Sequence, residues 1–187
     1  YKPLNVYGQT KLLGEQAVAN TLEKYFIVRI AWVFGQNGKN FIKTMLTVGK
    51  NHDKLTVVND QIGTPTYTFD LARLLVDMAE SEKYGYYHAT NEGGYISWYD
   101  FTKEIFRQAG MDVNVIPVSS AEYPAKAKRP SNSRMEKKKL EEENKLLRAK
   151  TETLENAKDT KEMYANVLKA MAKYNGVDED EATDYEF

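Results

Sequence analysis

The sequence predicts an α/β fold over residues 1–133, with parallel strands joined by crossover helices, followed by a long charged helix over 134–175 and an acidic tail over 176–187. Three observations predict it. Helical and strand signals alternate along the first 133 residues, which is the pattern crossover connections leave in a sequence. The run from Tyr25 to Phe34 is nearly continuous in apolar residues rather than alternating, as a strand covered on both faces requires. Beyond Ser133 the composition changes, because residues 134–173 contain no Gly or Pro and are dominated by Lys, Glu, Leu and Ala.

Taken in order, Asn5 and Tyr7 lead into a first helix in which Leu12, Leu13, Ala17 and Ala19 recur at helical spacing. The strand over 25–34 follows and is broken by Gly35 and Gly38. A helix is expected over 40–50, a short strand over 55–58, a helix over 70–82 and a strand over 85–89. Ser97 is placed to cap a helix that runs to Ala109, with Gly110 at its stop position. A last strand over 113–118 precedes a loop containing Pro124 and Pro130. In the charged helix, Leu140, Asn144, Leu147, Thr151 and Leu154 alternate steps of four and three, a heptad seam with one polar core position. A surface helix packed on its own domain and a coiled coil both satisfy that pattern. The end, rich in Asp and Glu from Asp178 onward, reads as a solvated, disordered tail.

Composition excludes several kinds of chemistry. The 187 residues carry 26 Lys plus Arg against 27 Asp plus Glu, a formal charge of -1, so a basic nucleic-acid footprint is not expected. There is no Cys and there are two His, which removes disulfides, thiol catalysis and Cys/His zinc sites. No apolar run approaches the roughly 20 residues of a membrane helix, and no signal-peptide pattern opens the chain. A cytoplasmic protein with no membrane partner is the expectation. The first residue is Tyr rather than Met, so part of the functional protein is expected to lie upstream.

The segment Tyr7-Gly8-Gln9-Thr10-Lys11 carries the clearest chemistry. Tyr and Lys four apart at the start of a helix project from one face, one turn from each other. A phenol has an ordinary pKa of about 10, and a neighbouring ammonium favours the phenolate, so such a pair can exchange a proton with a carbonyl or alcohol. An exposed Lys whose stem covers a half-buried Tyr has the same spacing, and these two residues alone leave both open.

The surrounding residues add to this. The block from Pro3 to Glu15 resembles the catalytic helix of extended short-chain dehydrogenase/reductases. Four further blocks follow in order: Ile27 to Gly35, Gly38 to Leu46, Val57 to Thr68 with its Asp60-Gln61-Ile62-Gly63-Thr64-Pro65-Thr66 core, and Arg129-Pro130-Ser131-Asn132-Ser133. In this order they resemble the dTDP-4-dehydrorhamnose reductase family over residues 1 to about 140. The resemblance implies the C-terminal part of a Rossmann-like reductase fold that lacks its N-terminal strands. The implied activity is reduction of dTDP-4-dehydro-L-rhamnose to dTDP-L-rhamnose, with NADPH or NADH as hydride donor. Magnesium accompanies some relatives, but no residues here are assigned to it.

Carried over by position, Tyr7 would protonate the sugar C4 oxygen as hydride arrives, and Lys11 would hold the nicotinamide ribose and favour the phenolate. Trp32 would contact the deoxysugar, although a core aromatic reads the same way. Asn40 and Lys43, at the entrance to a helix, would meet the nucleotide diphosphate, or else form a solvated face. Asp60 and Gln61 would bind substrate or shape the turn before Pro65. Arg129 would pair with a phosphate or with a carboxylate of its own loop.

The Gly-rich turn that cradles a dinucleotide diphosphate is absent from the sequence, and Gly93-Gly94 does not replace it. The chain alone is therefore expected to be inactive and to expose an unpaired sheet edge and an apolar face. The alternatives are a nucleotide-sugar epimerase or dehydratase with the same Tyr and Lys, and a non-catalytic regulatory subunit. A homodimer and coiled-coil association through the charged helix are the protein partners considered.

Overall fold

The computed structural model of the chain describes residues 1–123, 127 and 129–142. Helix α1 spans Val6–Thr21, and the Asn5 side chain opens it by accepting from the Gly8 N–H at 2.9 Å. None of its residues is fully buried. Val6, Leu13 and Val18 on the helix and Leu22 just after it are exposed, an apolar surface that the described residues do not cover. What fastens α1 is a bidentate ion pair, with Arg29 donating from Nε to Glu15 Oε1 at 2.9 Å and from Nη2 to Oε2 at 2.5 Å. The Arg29 guanidinium also lies 4.4 Å from the Tyr1 ring centroid.

Both partners of that pair are about four-fifths buried, and charge-assisted bonds of this kind are worth about 1.5–3 kcal/mol. Arg29→Ala is expected to accelerate amide exchange throughout α1 while leaving the amides of the helix at 98–109 unchanged. Equal protection of α1 in the variant and the parent would show that the pair does not hold the helix.

Strand β1 (Phe26–Arg29) pairs in parallel with β6 (Gly85–His88), from Phe26 opposite Gly85 to Arg29 opposite His88. The single strand expected over 25–34 is in fact two. Trp32 adopts φ 50°, which turns the chain, and β2 (Val33–Phe34) joins a different ladder, parallel to β5 (Thr66–Tyr67). An apolar run reports burial and carries no record of one residue in a left-handed conformation.

Helix α2 (Phe41–Asn51) leads to β3 (Lys54–Val58), which pairs in parallel with β8 (Asn114–Val118). Helix α3 (Thr68–Ala79) begins two residues before the predicted start and ends three before the predicted stop. Strand β4 (Ile62–Gly63) pairs antiparallel with β7 (Ile96–Ser97), so the connections are not all crossovers. Helix α4 (Trp98–Ala109) has the ends the sequence predicts. Ser97 and Asp100 form a reciprocal capping box, and Gly110 closes the helix at φ 65°, a conformation glycine adopts without penalty.

The main core lies between α2 and α4 over β2, where Phe34, Ile42, Met45, Phe101, Ile105 and Phe106 are buried together. A second cluster joins Met78, Tyr87, Ala89 and Leu140. The composition changes at residue 134 but the packing does not. Lys137 Nζ donates to the Asn91 carbonyl at 2.7 Å, Lys139 Nζ donates to the Tyr86 carbonyl at 3.1 Å, and Leu140 is buried. Leu140, the first position of the predicted seam, is thus spent on the α/β body. Asn144, Leu147, Thr151 and Leu154, the remaining helix to 175 and the acidic tail lie outside the described residues. No helix among the described residues is long and apolar enough to cross a membrane.

Candidate functional site

The structure gathers the predicted residues into separate groups. Tyr7 and Lys11 stand on the first turns of α1, with Tyr7 70% exposed and the Lys11 ammonium 5.7 Å from its ring centroid. One helical turn separates them, so the ammonium reaches the ring without distorting the helix. The phenol is open to a ligand, and a cation stands beside it.

Trp32 lies against Trp98, the rings nearly parallel at 13° with centroids 3.7 Å apart. Phe41 leans on Trp98 at 4.4 Å, and Phe101 lies 6.3 Å from Trp32. Trp32 and Trp98 are both half-buried, which places this aromatic stack between the core and the surface.

Asn40 is the N-cap of α2: its side chain accepts from the Lys43 N–H at 3.1 Å and donates to the Gly35 carbonyl at 2.9 Å. Both ends of the amide are occupied in holding the turn. Lys43 is half-buried and has no ion-pair partner among the described residues, so its ammonium is the cation that the start of α2 offers to an anion.

Asp60 and Gln61 close onto the loop after β8. Ser120 donates to Asp60 through its N–H at 2.8 Å and its hydroxyl at 2.5 Å, and Gln61 Nε2 donates to the same hydroxyl at 3.0 Å. Those bonds hold the Asp60 carboxyl below the usual carboxylate range. The side chains are therefore engaged in a loop-to-loop clasp. Arg129 is exposed and acts on Tyr123, whose phenol burial pushes up while the guanidinium opposes the shift. Beyond it, the Ile62 N–H donates to the Ser131 carbonyl and the Ser133 N–H donates to the Ile62 carbonyl. The segment from Arg129 to Ser133 is by this means tied to β4.

Two residues not singled out in the sequence organise this region. Asn91 accepts from the Tyr67 N–H at 2.6 Å and donates to Asp70 at 2.8 Å, joining the start of α3 to the loop after β6. Trp98 is the stack partner of Trp32. Its signal was available, since it is the only other tryptophan and follows a helix cap, but nothing local names its partner. Asn91 has no comparable signal. Among the described residues no group of three His, Asp or Glu is placed to hold a metal ion, and no step is assigned to magnesium.

Parallel strand pairs joined by crossover helices, with a Tyr and a Lys one turn apart on the helix before β1, define a Rossmann-like fold of the short-chain dehydrogenase/reductase class. The chain belongs to the family described as the RmlD substrate binding domain, whose model matches residues 1–163. It is 43% identical over 152 residues to a dTDP-4-dehydrorhamnose reductase of Aggregatibacter actinomycetemcomitans, covering 75% of this chain and 51% of that protein. It is 39% identical over 140 residues to the spore coat polysaccharide biosynthesis protein SpsK of Bacillus subtilis, covering 75% and 49%. Among solved structures, the dTDP-4-dehydrorhamnose reductase of Bacillus anthracis in complex with NADP is similar at TM-score 0.73 and 44% identity, over 76% of this chain and 50% of that one. A Clostridium acetobutylicum reductase gives TM-score 0.80 at 42% identity, over 91% and 57%. The UDP-N-acetylglucosamine 4-epimerase of Bacillus cereus shares the fold alone, at TM-score 0.63 and 17% identity. The chain spans about half the length of the curated relatives it matches.

Proposed function

We propose that this chain supplies the proton donor and the sugar-nucleotide pocket of an NADPH-dependent dTDP-4-dehydrorhamnose reductase, which converts dTDP-4-dehydro-L-rhamnose to dTDP-L-rhamnose. The observation that carries this reading is the open Tyr7 phenol with the Lys11 ammonium beside it, on the first helix of a chain in this family. NADPH, when bound, would supply the hydride. As the C4 carbonyl π bond breaks, Tyr7 Oη gives its proton to the sugar oxygen, so that a C–H and an O–H bond replace it. Lys11 offers an ammonium to the ribose hydroxyls at the nicotinamide end and to the phenolate left on Tyr7. Those two residues fit one end of the cofactor. The 187 residues hold no Gly-rich turn for its diphosphate, so no residue here is assigned to that end.

On the substrate side, Trp32 offers an apolar edge to the deoxysugar, Lys43 a cation to the diphosphate at the start of α2, and Arg129 a second cation from an exposed loop. This reading places the protein in the cytoplasm. Any coiled-coil or homodimer contact through the charged helix starts beyond Leu140, because that side chain is already buried.

The test is a hybrid in which the N-terminal part of the Aggregatibacter reductase not matched by this chain precedes Tyr1. With dTDP-4-dehydro-L-rhamnose it is expected to oxidise NADPH in stoichiometric amounts. No oxidation with that substrate, together with turnover of another nucleotide sugar, would replace this reading by the epimerase or dehydratase alternative.

A further inference from the structure

The only two tryptophans in the chain lie face to face, although 66 residues separate them in sequence. Trp32 is also the only non-glycine residue at positive φ among the described residues. A bulky side chain in that conformation is strained, and such strain persists where the surroundings over-determine it. Three contacts do so here. The Thr66 N–H donates to the Trp32 carbonyl at 3.1 Å, and the Thr66 hydroxyl, itself buried, donates to the Ala31 carbonyl at 2.6 Å. Gly63 admits the indole where a Cβ would fall 2.8 Å from its Cε2 and 3.0 Å from its Cζ2. The same Cβ would meet the Ser133 hydroxyl at 2.6 Å, so Trp32 adjoins the segment that carries Arg129.

Burial alone does not call for this arrangement. Both indoles are incompletely buried, and aromatic pairs left to packing prefer offset or edge-to-face geometry over a near-parallel sandwich. Trp98 is the fixed member of the pair. It is the first residue of α4, directly after the N-cap Ser97 and within the Ser97–Asp100 capping box, and Phe41 and Phe101 pack around it.

We propose that Trp98 is a positioning residue: by its face-to-face contact it holds the Trp32 indole in the orientation that receives the sugar of a deoxysugar nucleotide, without touching the ligand itself. This rests on the reading of Trp32 given under the proposed function. It adds that recognition of the hexose, as distinct from the nucleotide, depends on a rigid pair whose strained backbone is locked by Thr66 and Gly63.

The test titrates the 187-residue chain with dTDP-L-rhamnose and with dTDP by calorimetry. The parent is expected to bind the sugar nucleotide more tightly than dTDP. Trp98→Leu is expected to weaken dTDP-L-rhamnose at least tenfold, to the level of dTDP, with dTDP binding unchanged, and Trp98→Phe is expected to restore most of the difference. Parallel weakening of both ligands in Trp98→Leu would show a merely structural role and overturn the proposal, as would an unchanged preference for the sugar nucleotide. Fluorescence excited selectively at the tryptophan edge reads the positioning separately, because Trp32 is the sole tryptophan in Trp98→Leu. A red-shifted, acrylamide-accessible emission supports it, and an emission as shielded as in Trp98→Phe overturns it even where no ligand binds. A parent that binds neither ligand removes the proposed function while leaving this fluorescence result to stand by itself. Should Trp98→Leu lose cooperative unfolding, Gly63→Ala displaces the indole from its other contact and is expected to abolish the same sugar preference.

Discussion

Tyr7→Phe in the hybrid enzyme is expected to lower kcat by about 10²- to 10⁴-fold, the range proton transfer by a positioned side chain contributes, with little change in KM. The substitution removes one oxygen from a residue that is 70% exposed, and the ring that faces the Lys11 ammonium stays. Helix α1 is capped by Asn5 and fastened by the Glu15–Arg29 pair, neither of which involves the phenol. Loss of rate with an unchanged unfolding curve therefore reports chemistry. A kcat within threefold of the parent would remove Tyr7 as the proton donor and direct attention to another acid.

The long elements were legible because their ends and periods are local. Ser97 and Gly110 bound α4 as written, since a capping box and a left-handed glycine are chosen by the residues themselves. Strands β4, β5 and β7 were not legible, because two residues have no period to detect. The site divides along the same line. Tyr7 and Lys11 are one turn apart in sequence and in space, so spacing alone brings them together. Asp60 and Gln61 find Ser120 across the molecule, and Asn91 joins Tyr67 to Asp70, pairings that no local pattern encodes.

Asn40 shows how a motif position can have a nearer use. Its amide caps α2 and ties back to Gly35, which leaves charge at that helix end to the neighbouring lysines, Lys43 in the first turn among them. At residue 134, composition and packing part company. A run of Lys and Glu looks like the start of a separate helix, yet the Lys137 and Lys139 ammonium groups bond carbonyls of the loop after β6 and of β6 itself, and Leu140 is buried in the second core cluster.

For the 187-residue chain by itself, no measurable NADPH oxidation is expected, with dTDP-sugar binding detected in preference to NADPH binding. Positioning decides this more than the proton does. Holding two reactants in reactive geometry accounts for about 7–11 kcal/mol of a barrier, whereas a general acid accounts for about 10²- to 10⁴-fold in rate. The sequence contains no Gly-rich turn to seat the cofactor diphosphate, so Tyr7 and Lys11, at the nicotinamide end, are the residues assigned to the cofactor, and the Lys11 ammonium is the charged one of the two. A charge-assisted bond contributes about 1.5–3 kcal/mol, which falls short of the 4–15 kcal/mol association cost estimated for a bound partner. The helix that carries Lys11 and Tyr7 buries no residue fully and is tied to the body through its Glu15–Arg29 pair, so it adds no apolar seat for the cofactor. Trp32, Lys43 and Arg129, by contrast, stand on or beside elements anchored in the core or tied to β4 by the chain's own contacts. Calorimetry against dTDP-L-rhamnose and NADPH at matched concentrations makes the comparison. Saturable submicromolar NADPH binding to this chain would overturn the expectation and reveal a diphosphate seat built from residues other than a Gly-rich turn.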